Sequence, residues 1–334
     1  MKIADMLHVI AKEYYFHIRE TAVTDHGCLL ETDCGTKIVS VWRDEARLRW
    51  AFAWREQLAE KGFRQVNRFI RTRKQAPYVP VGHQFLVVQD KVSGTSVGLR
   101  SADQWADLGE LTGMLFAVFQ DVSLSFQHTF SDHLSSRHPL DQTLTEKKRQ
   151  AWKQELVKRD TIFSSLVGAH WASLEHRLTQ ARMLQATIGH ALPFILTLPH
   201  LELAQWQIWH TGCVGLSVTE PPSDTPSIGY ASLARFLQDL FVQENGTIEK
   251  LNRFYAAFER QACLSIAEEY ELLAQLIVPR AFFDVIDTYM ENAETEDECF
   301  EQWVRLCARQ EKLDQIHLWF AERLDRKKEE SASV

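Results

Sequence analysis

Three side chains in the stretch LPHLELAQWQIW, residues 198–209, have types and spacing that could do chemistry: His200, Glu202 two positions on, and Gln207 five positions after that. A carboxylate there could accept the proton of an attacking hydroxyl. A following amide oxygen could hold a divalent cation. Together they outline a phosphoryl-transfer loop. The residues usual for those tasks are Asp and Asn, each one methylene shorter. The extra methylene displaces a functional group by about 1.5 Å unless the backbone compensates, and about 1 Å of misplacement can cost about a hundredfold in rate. Three readings of the stretch stand open: a decayed loop, a working loop with unusual ligands, and a strand-like piece of a helical region with no catalytic ancestry.

The elements that must position these residues sit in a chain of 334 residues, 45% hydrophobic and 25% charged, which is ordinary globular composition and long enough for two domains. A net charge of -8 argues against a general nucleic-acid binder, which needs a basic field. Asp5, His8, Lys12 and Glu13 interrupt the first apolar run, and no stretch approaches eighteen apolar residues, so neither a signal peptide nor a membrane span is expected. The expected location is cytoplasmic. The six cysteines form no CxxC pair and are expected as free, buried thiols of a reducing compartment. His128, His133 and His138 cluster in sequence without an i, i+4 pair, so no metal site is expected there.

Along the chain, residues 2–15 carry Ile3, Met6, Leu7, Ile10 and Tyr14 on one helical face. Strand patterns follow at Tyr15–Thr21, Cys28–Glu31 and Lys37–Trp42, the last two joined by the turn TDCG. Asp44 caps a helix from about Glu45 to Lys61, stopped by Gly62. Further strand-like runs are Gln65–Ile70, Pro77–Val81 and Gln84–Gln89. After the polar connector QDKVSGTS the pattern turns helical: Ser101–Phe119, then Thr143 to about Ile188 with a break expected near Gly168. Residues 191–228 are irregular and hold five prolines; helices return from Ser232 and end in a charged tail expected to fray. This organisation predicts a bilobal α+β fold, with a β-rich lobe at 1–92 and a helical lobe at 93–334.

Other constellations are absent. No G-x-S-x-G, Walker A or G-x-G-x-x-G sequence occurs. RFIRTRK, residues 68–74, reads as a solvated hairpin turn or as a docking patch for an acidic partner. Trp50, Trp54, Trp152, Trp171, Trp206 and Trp209 sit within regular patterns and are expected in the core.

The run LLETDCGTKIVSVWRDEARLRWAFAWREQLAEKGF resembles the amino-lobe of bacterial kinase-like proteins of the aminoglycoside phosphotransferase superfamily, and within it the CotS-type spore coat group that includes the YutH and YsxE proteins. VVQDKVSGTS resembles that family's hinge, and LGELTGMLFAVFQ its first large-lobe helix. The likeness covers about residues 25–120 well and 190–240 by position. It implies a protein-kinase-like fold.

The resemblance also assigns positions. The hairpin strand of such proteins carries a lysine that orients nucleotide phosphates; aligning their GTYxLK on GTKIVS puts Ser40 there. Lys37 has the wrong parity and should point to the other sheet face. The helix partner of the lysine falls at about Glu56, which is then expected to lack a cation. The H-x-D-x-x-x-x-N loop falls on His200, Glu202 and Gln207, and the second metal ligand on Glu220, with Asp224 as runner-up. By the resemblance Ser40, Glu56, Glu202, Gln207 and Glu220 are thus degenerate positions, while His200 keeps the motif's residue. The resemblance implies a catalytically decayed protein without ATP or Mg²⁺, acting as a scaffold for other proteins, spore coat components among them, in the mother-cell cytoplasm. The alternatives are an active small-molecule or protein kinase using Glu202, Gln207 and Glu220, and a protein that keeps a small ligand in its cleft.

Overall fold

The computed structural model describes residues 3–24, 27–130, 145–188, 192, 195–198, 201–218, 227–291 and 296–332. The amphipathic start forms α1 (Ile3–Glu13). Then come β1 (Ile18–Thr24), β2 (Gly27–Thr32), β3 (Gly35–Trp42), α2 (Glu45–Glu60), β4 (Val79–Val81) and β5 (Gln84–Asp90). The strands build one antiparallel sheet in the order β1-β2-β3-β5-β4.

Period-2 alternation gives this sheet two distinct faces. Val39, Leu86 and Val88 pack with Met6, Ile10 and Tyr14, so α1 covers one face. Ile38, Ser40 and Trp42 stand opposite Gln89, Val87 and Phe85 on the other. There Trp42 meets Phe69 edge-on at 6.2 Å. The Asp44 carboxylate accepts from the N–H groups of Ala46 and Arg47, and so starts α2 as expected.

The remaining elements are β6 (Gly94–Ser96), α3 (Ala102–Phe126), α4 (Glu146–Arg159), α5 (Ile162–Ile188), β7 (Leu196–Thr197), β8 (Trp206–Trp209), β9 (Val214–Leu216), β10 (Ser227–Ile228), α6 (Ala231–Gln243), α7 (Ile248–Gln261), α8 (Ile266–Ile277), α9 (Arg280–Glu291) and α10 (Glu296–Ala332). β6, β8 and β9 form a second small sheet, and β7 pairs with β10. The chain divides into two compact units. One comprises Met1–Gly98, Met114–Thr129 and Leu198–Pro226; the other comprises Leu99–Gly113, Phe130–Thr197 and Ser227–Val334. The second unit has a core of aromatic and aliphatic side chains from α4, α5, α9 and α10, with Trp152, Phe163, Phe283 and Trp303 at its centre.

Several local expectations are corrected. Residues 65–70 are not a strand; they make single bridges, Val66 to Leu216 and Phe69 to Gln89. The long helical stretch breaks at Asp160, not at Gly168. Asp160 takes the left-handed conformation that ends α4, and Thr161 and Ser164 exchange the hydrogen bonds that restart the helix. The charged tail is helical to Ala332, because Arg323 and Lys327 are held by Glu259 and Glu269. Trp50, Trp54, Trp152, Trp171 and Trp206 are buried, whereas Trp209 is half-buried. All six cysteines are free, but Cys34, Cys213 and Cys263 are exposed rather than buried. His133 and His138 lie outside the described residues. Among the described residues, no helix is long and apolar enough to cross a membrane.

Candidate functional site

Strand parity puts Ser40 and Lys37 on opposite faces of β3, as expected. Ser40 is buried, and its Oγ accepts the indole N–H of Trp42 at 2.9 Å. Lys37 is buried on the α1 side, where its ammonium meets Asp90 at 2.5 Å and the Cys34 carbonyl at 2.6 Å. Its charge is therefore engaged at the end of β5, away from Ser40.

The expectation for Glu56 is overturned. Its carboxylate receives Arg68 through Nε and Nη2, both at 2.7 Å, and Arg71 through Nη2 at 2.7 Å. Two cations hold it, and both come from the basic stretch 68–74. Arg73 of that stretch donates to the Tyr14 carbonyl at 2.9 Å. Much of that stretch therefore carries internal bonds.

The inward-facing charge of α2 is its neighbour. One residue along a helix is a turn of about 100°, so Glu56 and Arg55 face different directions. Arg55 is 1% exposed. Its guanidinium lies 4.1 Å from the Trp54 ring and 5.0 Å from that of Phe69. It donates to the carbonyls of Ala51, Asn67 and Val218 at 2.8, 3.1 and 3.1 Å. Asn67 completes the arrangement: its amide donates to the Val218 carbonyl at 3.0 Å and accepts the Val218 N–H at 3.0 Å. Arg55 and Asn67 thus fix the chain just before residues 219–226. The sequence held a signal for Arg55, since it shares a helical stripe with Leu48, Ala51 and Leu58, but its partners are far away in the chain.

Within the stretch 198–209, Leu203–Gln205 form a short turn and Trp206–Trp209 a strand. His200 and Glu220, with Asp224, lie outside the described residues. Glu202 is exposed, and its N–H is taken by Gln205 Oε1 at 3.1 Å. Gln207 sits in β8 between Ser96 and Gly215. Its amide nitrogen donates to the Ala204 carbonyl at 3.4 Å, while its Oε1 is buried with no hydrogen-bond partner. A Cβ on Gly94 would stand 2.9 Å from Gln207 Cβ, so a glycine there lets the two strands close over this side chain.

At the far end of the sheet, β1 and β2 are joined by Asp25 and His26, which lie outside the described residues. In kinases a glycine-rich loop covers the nucleotide phosphates. Here the junction offers one glycine, Gly27, and a Cβ on it would stand 1.9 Å from the Val39 carbonyl oxygen. That close approach accounts for the residue.

Magnesium needs near-octahedral oxygen ligands, carboxylates above all. Among the described residues no group of three His, Cys, Asp or Glu side chains could hold a metal ion. Gln207 Oε1 is an acceptor without a donor, and Glu202 faces solvent. Glu202 and Gln207, the described members of the expected ligand set, do not by themselves make such a site.

Comparison with solved structures decides the fold. An aminoglycoside phosphotransferase from Alicyclobacillus acidocaldarius matches over 96% of both chains with a TM-score of 0.72 and 14% identity. The fold is that of the aminoglycoside phosphotransferases. Spectinomycin phosphotransferase bound to AMP matches over 91% of this chain and 94% of its own, with a TM-score of 0.56 and 11% identity. The same enzyme with ADP and spectinomycin gives 0.53 and 12% over 90% and 93%. No protein-family model matches the chain, and no curated protein matches it. In this phosphotransferase-like frame, a β-rich part and a largely helical part are arranged in the α+β class expected from the sequence.

Proposed function

We propose that this chain is a phosphotransferase-fold protein that has lost phosphoryl transfer and acts by binding other proteins. The observation that supports this reading is the bonding of Ser40 and Glu56. Ser40, which the resemblance puts at the position of the phosphate-orienting cation, accepts the Trp42 indole N–H. Glu56 is neutralised by Arg68 and Arg71. A buried polar group left unpaired costs about 1–3 kcal/mol, and here the surroundings satisfy each former partner separately. Neither ATP nor Mg²⁺ is a cofactor in this reading. The resemblance to the CotS-type group supplies the setting: a scaffold for spore coat components, made in the mother-cell cytoplasm.

Calorimetric titration with ATP, with and without magnesium, tests it. The expected result is no saturable binding at millimolar nucleotide. Magnesium-dependent saturation would overturn the reading.

One observation favours a second reading, an active small-molecule or protein kinase using Glu202, Gln207 and Glu220. The buried, unpartnered Gln207 Oε1 lies at the frame position of a metal-holding amide. Turnover above a buffer control that falls a hundredfold in Glu202→Gln would support it; a positioned proton acceptor contributes about 10²–10⁴ in rate.

A further inference from the structure

Residues 68–74 read in sequence as a solvated turn or as a docking patch, and the bonds of their cations separate the two. Arg68 and Arg71 share one carboxylate, Glu56. Arg73 bonds only to backbone: its Nε donates to the Tyr14 carbonyl at 2.9 Å, and its main-chain N–H to the Glu13 carbonyl at 2.8 Å. Lys74 is exposed and makes no hydrogen bond or ion pair among the described residues. Four cations thus bond a single carboxylate, and the charges of Arg73 and Lys74 have no acid against them.

These side chains are held as one ridge. Arg71 Nη1 donates to the Gln75 carbonyl at 3.2 Å. The Gln75 N–H closes on the Thr72 carbonyl at 2.9 Å, and the Thr72 N–H on the Ala76 carbonyl at 2.8 Å. The turn that presents Arg73 and Lys74 is therefore fixed against Arg71 and against the end of α1. Beside it stands Tyr15, 70% exposed, with the Arg73 guanidinium 5.2 Å from its ring. Arg71 lies likewise 5.2 Å from the Phe52 ring. Free cations with an exposed aromatic ring among them are unusual in a chain of 37 basic and 45 acidic residues.

We propose that this ridge docks an acidic peptide segment of a partner protein, one with an apolar side chain among its carboxylates. The carboxylates meet Lys74, Arg73 and the surplus charge of the Arg68–Arg71 pair. The apolar side chain lies on Tyr15. The turn is closed by its own bonds, so the cations are placed before the peptide arrives and binding costs less ordering. At physiological salt a charge acts over about 8 Å. A short peptide feels the ridge alone, whereas a nucleic acid or an anionic membrane extends past it over a chain of net charge -8 and is repelled. The inference names a partner chemistry and rests on the protein-binding reading for its purpose. The ATP titration tests loss of phosphoryl transfer and a peptide titration tests the ridge, so either can fail alone.

Fluorescence-anisotropy titration of the full chain with a labelled peptide EEEFEEE, beside QQQFQQQ, EEESEEE and a short labelled DNA duplex, is the experiment. The expected result is saturable one-to-one binding of EEEFEEE, about tenfold tighter than QQQFQQQ or the duplex and about threefold tighter than EEESEEE. Lys74→Glu alters an exposed side chain without a partner; it should keep the wild-type melting temperature and weaken EEEFEEE by about tenfold. Tyr15→Ser should erase the preference for EEEFEEE over EEESEEE. Lys147→Glu, the same charge change at an exposed residue of α4, should leave the affinity unchanged. Absence of saturable binding, equal affinity for QQQFQQQ, tighter binding of the duplex, wild-type affinity in Lys74→Glu, an equal loss in Lys147→Glu, or a phenylalanine preference that survives Tyr15→Ser would each overturn the proposal.

Discussion

Arg55 donates to the carbonyl oxygen of Val218, 163 positions along the chain, at 3.1 Å. With Asn67 on the same carbonyl, this pins α2 to the strand that leads toward residues 219–226. Replacing Arg55 by Met keeps most of its contact with Trp54 and Phe69 and removes the donors. Amide exchange in peptides covering 63–70 and 206–218 should then accelerate about tenfold to a hundredfold, equivalent to about 1.4–2.7 kcal/mol of local protection. Peptides of α4 and α5 should keep their rates. Arg55→Lys should behave like Met, since an ammonium cannot span three carbonyls as a planar fork does. Unchanged exchange in both variants would refute the pin.

On the proposed reading of a decayed site, restoring the family's residue types does not restore activity. Ser40→Lys, Glu202→Asp and Gln207→Asn together should produce no ATP turnover above background. The Trp42 indole packs against position 40, where its N–H donates to Ser40 Oγ, and Arg68 and Arg71 already hold Glu56. A steady-state phosphate-release assay reads the outcome; turnover from the triple variant would contradict the argument.

Two helical glycines should respond to alanine with opposite signs. Gly in a helix interior is worse than Ala by about 0.5–1 kcal/mol. A Cβ on Gly168 meets nothing within 4 Å, so Gly168→Ala should stabilise by about that amount. A Cβ on Gly109 would stand 2.1 Å from the Phe254 carbonyl oxygen, so Gly109→Ala should destabilise by about 1–3 kcal/mol as α3 and α7 are forced apart. Thermal melts of the two variants give the signs directly.

The end of α10 should loosen at both extremes of pH. Burial raises the Glu259 carboxyl, but Lys327 and Arg323 outweigh it and hold it below its ordinary value of 4.5. Burial lowers the Lys327 ammonium, but Glu259 and Glu269 outweigh it and hold it above 10.5. The Glu259 contribution is therefore complete above pH 4.5 and is lost as pH falls through its folded value. The Lys327 contribution is complete below pH 10.5 and is lost as pH rises through its folded value. Amide exchange over 316–330, corrected for intrinsic rates, should be slowest between those limits and speed up outside them. Lys327→Met should abolish the alkaline limb.

Local periodicity was enough for much of this fold. Alternation in KIVSVW assigned Ser40 and Lys37 to opposite faces, because a pleated strand turns successive side chains by half a circle whatever lies beside it. The Asp44 cap of α2 was equally legible, because the bonds that make it span two or three residues. Helix direction was legible in pattern but not in consequence. The stripe through Leu48, Ala51 and Leu58 includes Arg55, yet a buried guanidinium is tolerable only because carbonyls from Asn67 and Val218 arrive to meet it. Those arrive by the parallel bridge of Val66 with Leu216, a long-range pairing that no window of sequence contains. The same reason governs the tail after Asp325. Its charges read as solvated in sequence, and it is helical to Ala332 because Glu259 and Glu269 of two other helices lie within ion-pair reach. Short-range geometry belongs to the sequence itself; the partner of a buried charge is decided when distant segments pack.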